Sequence, residues 1–166
     1  KLGQSASTIE AAVGARGWSS EKGTRVAAEP QLPAMAAHVD LPEPAELERA
    51  LLAARILGHA QGFRILSAAS AEFDWQLDMA RISEIWRAGC IIRSALLDDF
   101  AAAFRGDLPL KELVLAPAIL DMLEDSIASL RRVVAAAVMA GVAVPALGAA
   151  LAWYDTIRRG RGTANL

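Results

Sequence analysis

Residues 133–154, VVAAAVMAGVAVPALGAALAWY, run for 22 positions without a charge. That length could cross a bilayer. Its composition argues otherwise. Half of the stretch is alanine and glycine, so its transfer into hydrocarbon is weakly favoured. Pro145 forces Val144 out of helical geometry and removes a backbone donor near the middle of the run. Gly141, just upstream, reads as a helix C-cap. The stretch therefore reads as two buried helices joined at 141–145, and the chain as one that lacks a membrane span.

Working outward, the same helical punctuation recurs. Upstream of Gly141, Leu120, Leu123, Ile127, Leu130, Val134 and Val138 share one face of a helix that opens near Pro117. Downstream, Leu147, Leu151, Tyr154 and Ile157 continue from Pro145. Towards the N-terminus, Leu52, Ile56, His59, Phe63, Leu66 and Ser70 recur at spacings of three and four, predicting a long helix from Pro44 to about Phe73. Glu46 and Glu48 favour its positive end. Met79, Ile82, Trp86, Cys90, Arg93 and Leu97 make another face. With Phe100 and Phe104 they predict one more long helix, ended by Gly106. Thr8 caps a short helix that carries Ile9, Ala12 and Val13 and ends near Gly17. No segment alternates apolar and polar residues, so the expected class is all-α, built from long antiparallel helices.

This pattern divides the chain into four stretches. Residues 1–20 are expected to be the end of a preceding helix, as though cut from a larger protein. Residues 21–44, with four of the seven prolines, predict a connecting strap. Residues 45–160 form the helical domain, and 161–166 a polar, glycine-rich tail. Several of its helices are apolar beyond a single stripe, and dimerisation is one way to bury the surplus.

Composition excludes several function classes. Seventeen basic against nineteen acidic residues leave a net charge of −2, which gives no handle for nucleic acid or an anionic membrane. The one cysteine, Cys90, excludes an intrachain disulfide framework and any multi-cysteine metal site, and suits a reducing, cytoplasmic compartment. No glycine-rich phosphate loop follows a strand, and Gly160-Arg161-Gly162 lies in the polar tail. His59 could act as an acid or base, but between Ile56 and Phe63 it reads as a core histidine. Cys90 has no histidine at helical spacing and reads as a buried structural thiol. Arg93, among Cys90, Ile91 and Ile92, needs a partner, and Glu84 or Asp98 could supply it. Asp98-Asp99 and Asp121-Glu124-Asp125 read as solvated faces or ion pairs.

Three segments carry a family resemblance. The first is Ala53-Ala54-Arg55-Ile56 through His59-Ala60-Gln61-Gly62-Phe63, then Ala68-Ala69-Ser70-Ala71-Glu72-Phe73-Asp74-Trp75. The second is Ile85-Trp86-Arg87-Ala88-Gly89-Cys90-Ile91-Ile92-Arg93-Ser94. The third is Ser129-Leu130-Arg131-Arg132-Val133-Val134, then Gly141-Val142-Ala143-Val144-Pro145, then Ala150-Leu151-Ala152-Trp153-Tyr154-Asp155. In order and spacing they resemble the C-terminal helical domain of 6-phosphogluconate dehydrogenases, the decarboxylating enzymes of the pentose phosphate pathway and of gluconate utilisation.

The resemblance implies an all-helical domain that forms much of a homodimer. It also implies an N-terminal Rossmann domain that binds NADP, which is not in this sequence; nor are the family's catalytic lysine and glutamate. The family reaction oxidises 6-phosphogluconate at C3 and releases carbon dioxide to give ribulose 5-phosphate, so this chain alone is expected to be inactive. One substrate contact carries over. Ala12-Val13-Gly14-Ala15-Arg16, followed by Ser19-Ser20, matches the family's A-V-x-A-R motif, whose arginine binds the substrate phosphate. A guanidinium fork suits a phosphate dianion. Lys22-Gly23-Thr24 resembles the start of a phosphate-binding K-G-T-G-x-W motif, but Arg25 follows it and it lies on the wrong side of Arg16, so it reads as coincidence. The family continues past Asn165-Leu166 into an arginine and a histidine that reach the other subunit's active site. The other reading is a standalone helical dimerisation module without catalysis.

Overall fold

The computed structural model describes residues 2–33, 40 and 42–162. Among them are seven α-helices and no strand: α1 (Ser7–Ser20), α2 (Lys22–Ala28), α3 (Pro44–Glu72), α4 (Met79–Gly89), α5 (Leu96–Arg105), α6 (Pro117–Met139) and α7 (Pro145–Ile157). Two short 3-10 turns, Pro109–Lys111 and Leu113–Leu115, precede α6. No helix among the described residues is long and apolar enough to cross a membrane.

The charge-free stretch folds as its punctuation requires. Gly141 takes φ 67°, a left-handed conformation that costs glycine little. Its N–H reaches the Val138 carbonyl (3.2 Å) and the Val142 N–H the Ala137 carbonyl (2.8 Å), the paired bonds of a Schellman cap. Pro145 then opens α7, where its missing N–H costs nothing. Gly17 is different. It stays inside α1, which runs on to Ser20, because a glycine stops a helix only where the backbone turns left-handed.

Two expectations need correction. The helix expected from Met79 to Gly106 is broken: α4 stops at Gly89, residues 90–95 are non-helical, and α5 starts afresh at Leu96. Asp98 and Asp99 supply the first-turn acids of the new helix, and the Ser94 hydroxyl accepts the Leu96 N–H at 3.3 Å. The strap expected over 21–44 carries α2 in its first third, while residues 34–39 and 41 lie outside the described set, as do tail residues 163–166.

The chain divides into two compact units, with α3 and α6 contributing to both. Unit one comprises residues 1–6 and 55–125. Its core centres on Phe63, 2% exposed, whose ring meets Phe104 at 4.8 Å, Trp86 at 5.4 Å and Phe100 at 6.2 Å. Ile56, Leu57, Leu97 and Ile119 are buried in the same unit. Burying each such side chain stabilises by about 1.5–3 kcal/mol. Arg64 ties the N-terminal segment to this unit: Nη1 donates to Glu112 at 2.6 Å and Nη2 to the Gln4 carboxamide at 3.2 Å.

Unit two comprises residues 7–54 and 126–166. Ala50, Ala53, Leu130, Val133, Ala150, Leu151 and Trp153 form its core. Alanine at Ala50, Ala53 and Ala150 lets helices approach closely. Helix α1 lies against α7.

Candidate functional site

Arg16 sits on α1 in unit two. None of the α1 residues is buried, and Val13 and Trp18 are 67% and 63% exposed. One face of α1, made of Ala11, Gly14, Ala15 and Trp18, borders an open cleft of ≈ 870 Å³ that is also lined by Val138, Pro145 and Gly148. A Cβ at Gly14 or Gly148 would meet only open space, so the small residues leave the cleft wide rather than bring the backbones together. Arg25, at the cleft edge, donates to the Trp18 carbonyl and so fastens α2 to the end of α1.

At 100° per residue, Arg16 points about 150° away from the centre of that cleft-facing stripe. It shares a flank with Ala12 and Ser20, one turn either side. Arg16 is exposed and makes no ion pair or side-chain hydrogen bond among the described residues. Ser19 borders the cleft instead, and the Ser20 hydroxyl donates to the Gly17 carbonyl at 2.6 Å. The motif thus splits: Gly14 and Ala15 border the cleft and the arginine projects away from it, with its donors free for an anion. Lys22, Gly23 and Thr24 form the first turn of α2, and Thr24 Oγ1 donates to Glu21 at 3.3 Å.

The remaining candidates are occupied structurally. The His59 Nδ1–H donates to the Arg55 carbonyl at 2.7 Å, and its ring packs 5.3 Å from Phe100. Burial holds its pKa below the ordinary histidine value, against the opposing hydrogen bond to the Arg55 carbonyl, so the neutral ring is favoured. Cys90, expected to be buried, is half-buried at the end of α4, its thiol donating to the Trp86 carbonyl at 3.2 Å. Arg93, expected to be paired, is exposed and unpaired among the described residues. Asp98 is taken by Arg87 at 2.6 Å, and Glu84 by Arg105 and Arg81. The break after Gly89 explains the exchange, since it carries Arg93 off the helical face on which those partners would have met it. Arg105 first, then Arg81, holds the Glu84 carboxyl below its usual range. Among the described residues no three His, Cys, Asp or Glu side chains could hold a metal ion.

Sequence reading missed the strongest electrostatic feature of unit two. Arg131 of α6 clasps Asp155 of α7 with both terminal nitrogens, at 2.6 and 2.8 Å, and Arg158 adds a third bond at 2.9 Å. The fork geometry suits a carboxylate. Asp155 is held down to about 2, chiefly by the Arg131 hydrogen bonds. Charges 24 residues apart carry no periodic signal; only the Arg158 spacing of three could have been noticed.

A sequence model of one family, 6-phosphogluconate dehydrogenase, C-terminal domain, matches residues 1–166. The chain belongs to that family. Similar curated proteins include the decarboxylating 6-phosphogluconate dehydrogenases of Treponema pallidum, 44% identical over 72% of this chain and 25% of the relative, and of Escherichia coli, 41% identical over 99% and 36%. Among solved structures, 6-phosphogluconate dehydrogenase of Plasmodium falciparum, studied in its apo form and with NADP+ and with 6-phosphogluconate, superposes with a TM-score of 0.89 at 31% identity. That match covers 98% of this chain and 36% of the other. The chain therefore spans between a quarter and two-fifths of the length of these 6-phosphogluconate dehydrogenases. A dinucleotide pyrophosphate is commonly cradled by a strand, a glycine-rich turn and a helix N-terminus. The described residues include no strand, so the residues present do not fit that group, and none is assigned to it.

Proposed function

We propose that this chain is the helical C-terminal part of an NADP-dependent, decarboxylating 6-phosphogluconate dehydrogenase that works as a cytoplasmic homodimer in the pentose phosphate pathway. The observation that carries the reading is the match of the family model across residues 1–166, supported by the fold likeness over 98% of the chain. Within the whole enzyme, the polypeptide outside this chain supplies NADP binding and the groups that react. The helices supply the scaffold, and Arg16 supplies one contact to the substrate phosphate. Its exposure and its lack of a partner among the described residues support that role: a phosphate can take both guanidinium donors without breaking an existing bond. The expected partners are a second copy and the sugar acid phosphate, not nucleic acid or a membrane.

The test is steady-state kinetics on the parent polypeptide that carries this segment. It should reduce NADP in the presence of 6-phosphogluconate and release carbon dioxide, whereas the 166-residue chain alone should not. Arg16→Ala in the parent removes a charge-assisted contact worth about 1.5–3 kcal/mol. That corresponds to a roughly ten- to hundredfold rise in KM for 6-phosphogluconate, with little change in the thermal melt, because the contact is remote from the reacting carbon. A parent without substrate-dependent NADP reduction overturns the enzyme reading. An unchanged KM overturns the role of Arg16 alone.

A further inference from the structure

Arg16 serves a phosphate only while the last turn of α1 stays helical, and α1 is poorly built for that. Gly14 and Gly17 flank Arg16, and each glycine lowers the helical population roughly fivefold relative to alanine. No residue of α1 is buried, so packing returns little of that loss. The last turn carries no basic residue to offset the negative end of the helix dipole. Nor does a left-handed residue close it, since Glu21 has φ −82°. A fray that passes Gly17 would therefore release Arg16, unless something outside α1 holds the turn.

The bonds around the turn show what does. The Trp18 carbonyl accepts the Glu21 N–H at 3.2 Å and, from α2, the Arg25 guanidinium through Nη1. The Ser20 hydroxyl covers the Gly17 carbonyl at 2.6 Å. Arg25 is itself set in place by α2, its own N–H donating to the Glu21 carbonyl at 3.1 Å. A guanidinium on a terminal carbonyl supplies both the missing donor and the missing positive charge. Arg25 borders the cleft, whereas Arg16 points about 150° away from it, so the two arginines do not converge on one phosphate.

We propose that Arg25 is a positioning residue for the substrate phosphate: by capping the Trp18 carbonyl from α2, it keeps the turn that carries Arg16 helical. This deepens the reading of Arg16 as the phosphate contact and rests on it. Apparent affinity scales with the fraction of molecules whose turn is formed, so loss of the cap raises KM for 6-phosphogluconate by the inverse of that fraction. A charged cap at a helix C-terminus changes such a fraction by about three- to tenfold. The reacting carbon is untouched once substrate is bound, so kcat holds.

The test is steady-state kinetics on the parent polypeptide, with a thermal melt of each variant. Arg25→Met keeps the apolar stem at the cleft edge and removes the donors, and should raise KM about three- to tenfold at unchanged kcat. Gly17→Ala, whose added methyl meets open space, restores helical propensity in the same turn and should return most of that KM loss in the double variant. A residue that touched the phosphate, or one that only fastened α2, would not be rescued in this way. In an Arg16→Ala background, Arg25→Met should add nothing to KM. Ser20→Ala removes the other side-chain bond of the turn and should raise KM about two- to threefold, again reversed by Gly17→Ala; it decides the matter should Arg25→Met fail to fold. An unaltered KM in Arg25→Met, a rise that Gly17→Ala leaves in place, or equal rises with and without Arg16 would each overturn the positioning role and leave the Arg16 contact standing. An Arg16→Ala enzyme with unaltered KM overturns both.

Discussion

Replacing Asp155 with Asn removes the charge from the α6–α7 clasp while keeping the side chain's shape. The magnitude follows from the geometry. Asp155 accepts three hydrogen bonds from Arg131 and Arg158, and its carboxyl is held at about 2 against an ordinary 3.8. That gap sets a ceiling of about 2 kcal/mol on the folded-state stabilisation. The side chain is 29% exposed and its partners 49% and 45%, so solvent screening reduces the expected cost of Asp155→Asn to about 1 kcal/mol at pH 7. The sign is determined by the lowered pKa. The stabilisation is complete above the unfolded value near 4 and fades as the pH falls towards 2, where the folded carboxylate takes up its proton. Urea unfolding of both proteins between pH 7 and pH 2 checks this: the two stability curves should stay parallel down to pH 5 and converge below pH 4. A difference that persists undiminished at pH 2 would refute the reasoning, because the cost would then lie in shape or packing rather than charge. Added salt should narrow the gap at pH 7 for the same reason.

Phe63→Ala should cost about 3–5 kcal/mol, since it opens a cavity among Trp86, Phe100 and Phe104, and a denaturant melt should show the loss in midpoint. Gly141→Ala should cost about 1 kcal/mol by thermal melt, because alanine at φ 67° strains the cap between α6 and α7; the same change at Gly17, which lies within α1 with open space around it, should be neutral or slightly stabilising.

Much of the fold was legible because helix starts and stops are local. Pro44, Pro117 and Pro145 each open a helix, and periodicity traced α3 and α6 close to their ends. Gly141 was read correctly and Gly17 was not, although both are glycines after an alanine-rich run. The difference lies in the backbone, which turns left-handed at Gly141 and stays helical at Gly17. The break at residues 90–95 left only weak signals, in Gly89 and in the acids Asp98 and Asp99, against an apolar periodicity that ran straight through it. Of the candidate site, Arg16 was legible only through its motif. That its small neighbours border a cleft while the guanidinium projects to the other flank is a matter of helical phase.

By itself, then, the sequence determined the helical class, the resolution of the charge-free stretch into two helices, and the family, because each depends on neighbours within a few positions or on motifs in order. Tertiary structure decided which charges meet. Arg87 rather than Arg93 reaches Asp98, and Arg131 finds Asp155 on another helix. It also decided the left-handed backbone at Asp74 and Gln76, which the bonds to Ser70 hold in place. The physical reason is reach. A hydrogen bond three or four residues along a helix is written into spacing, whereas an ion pair between helices depends on where each helix ends and how its neighbour is rotated, which only packing settles.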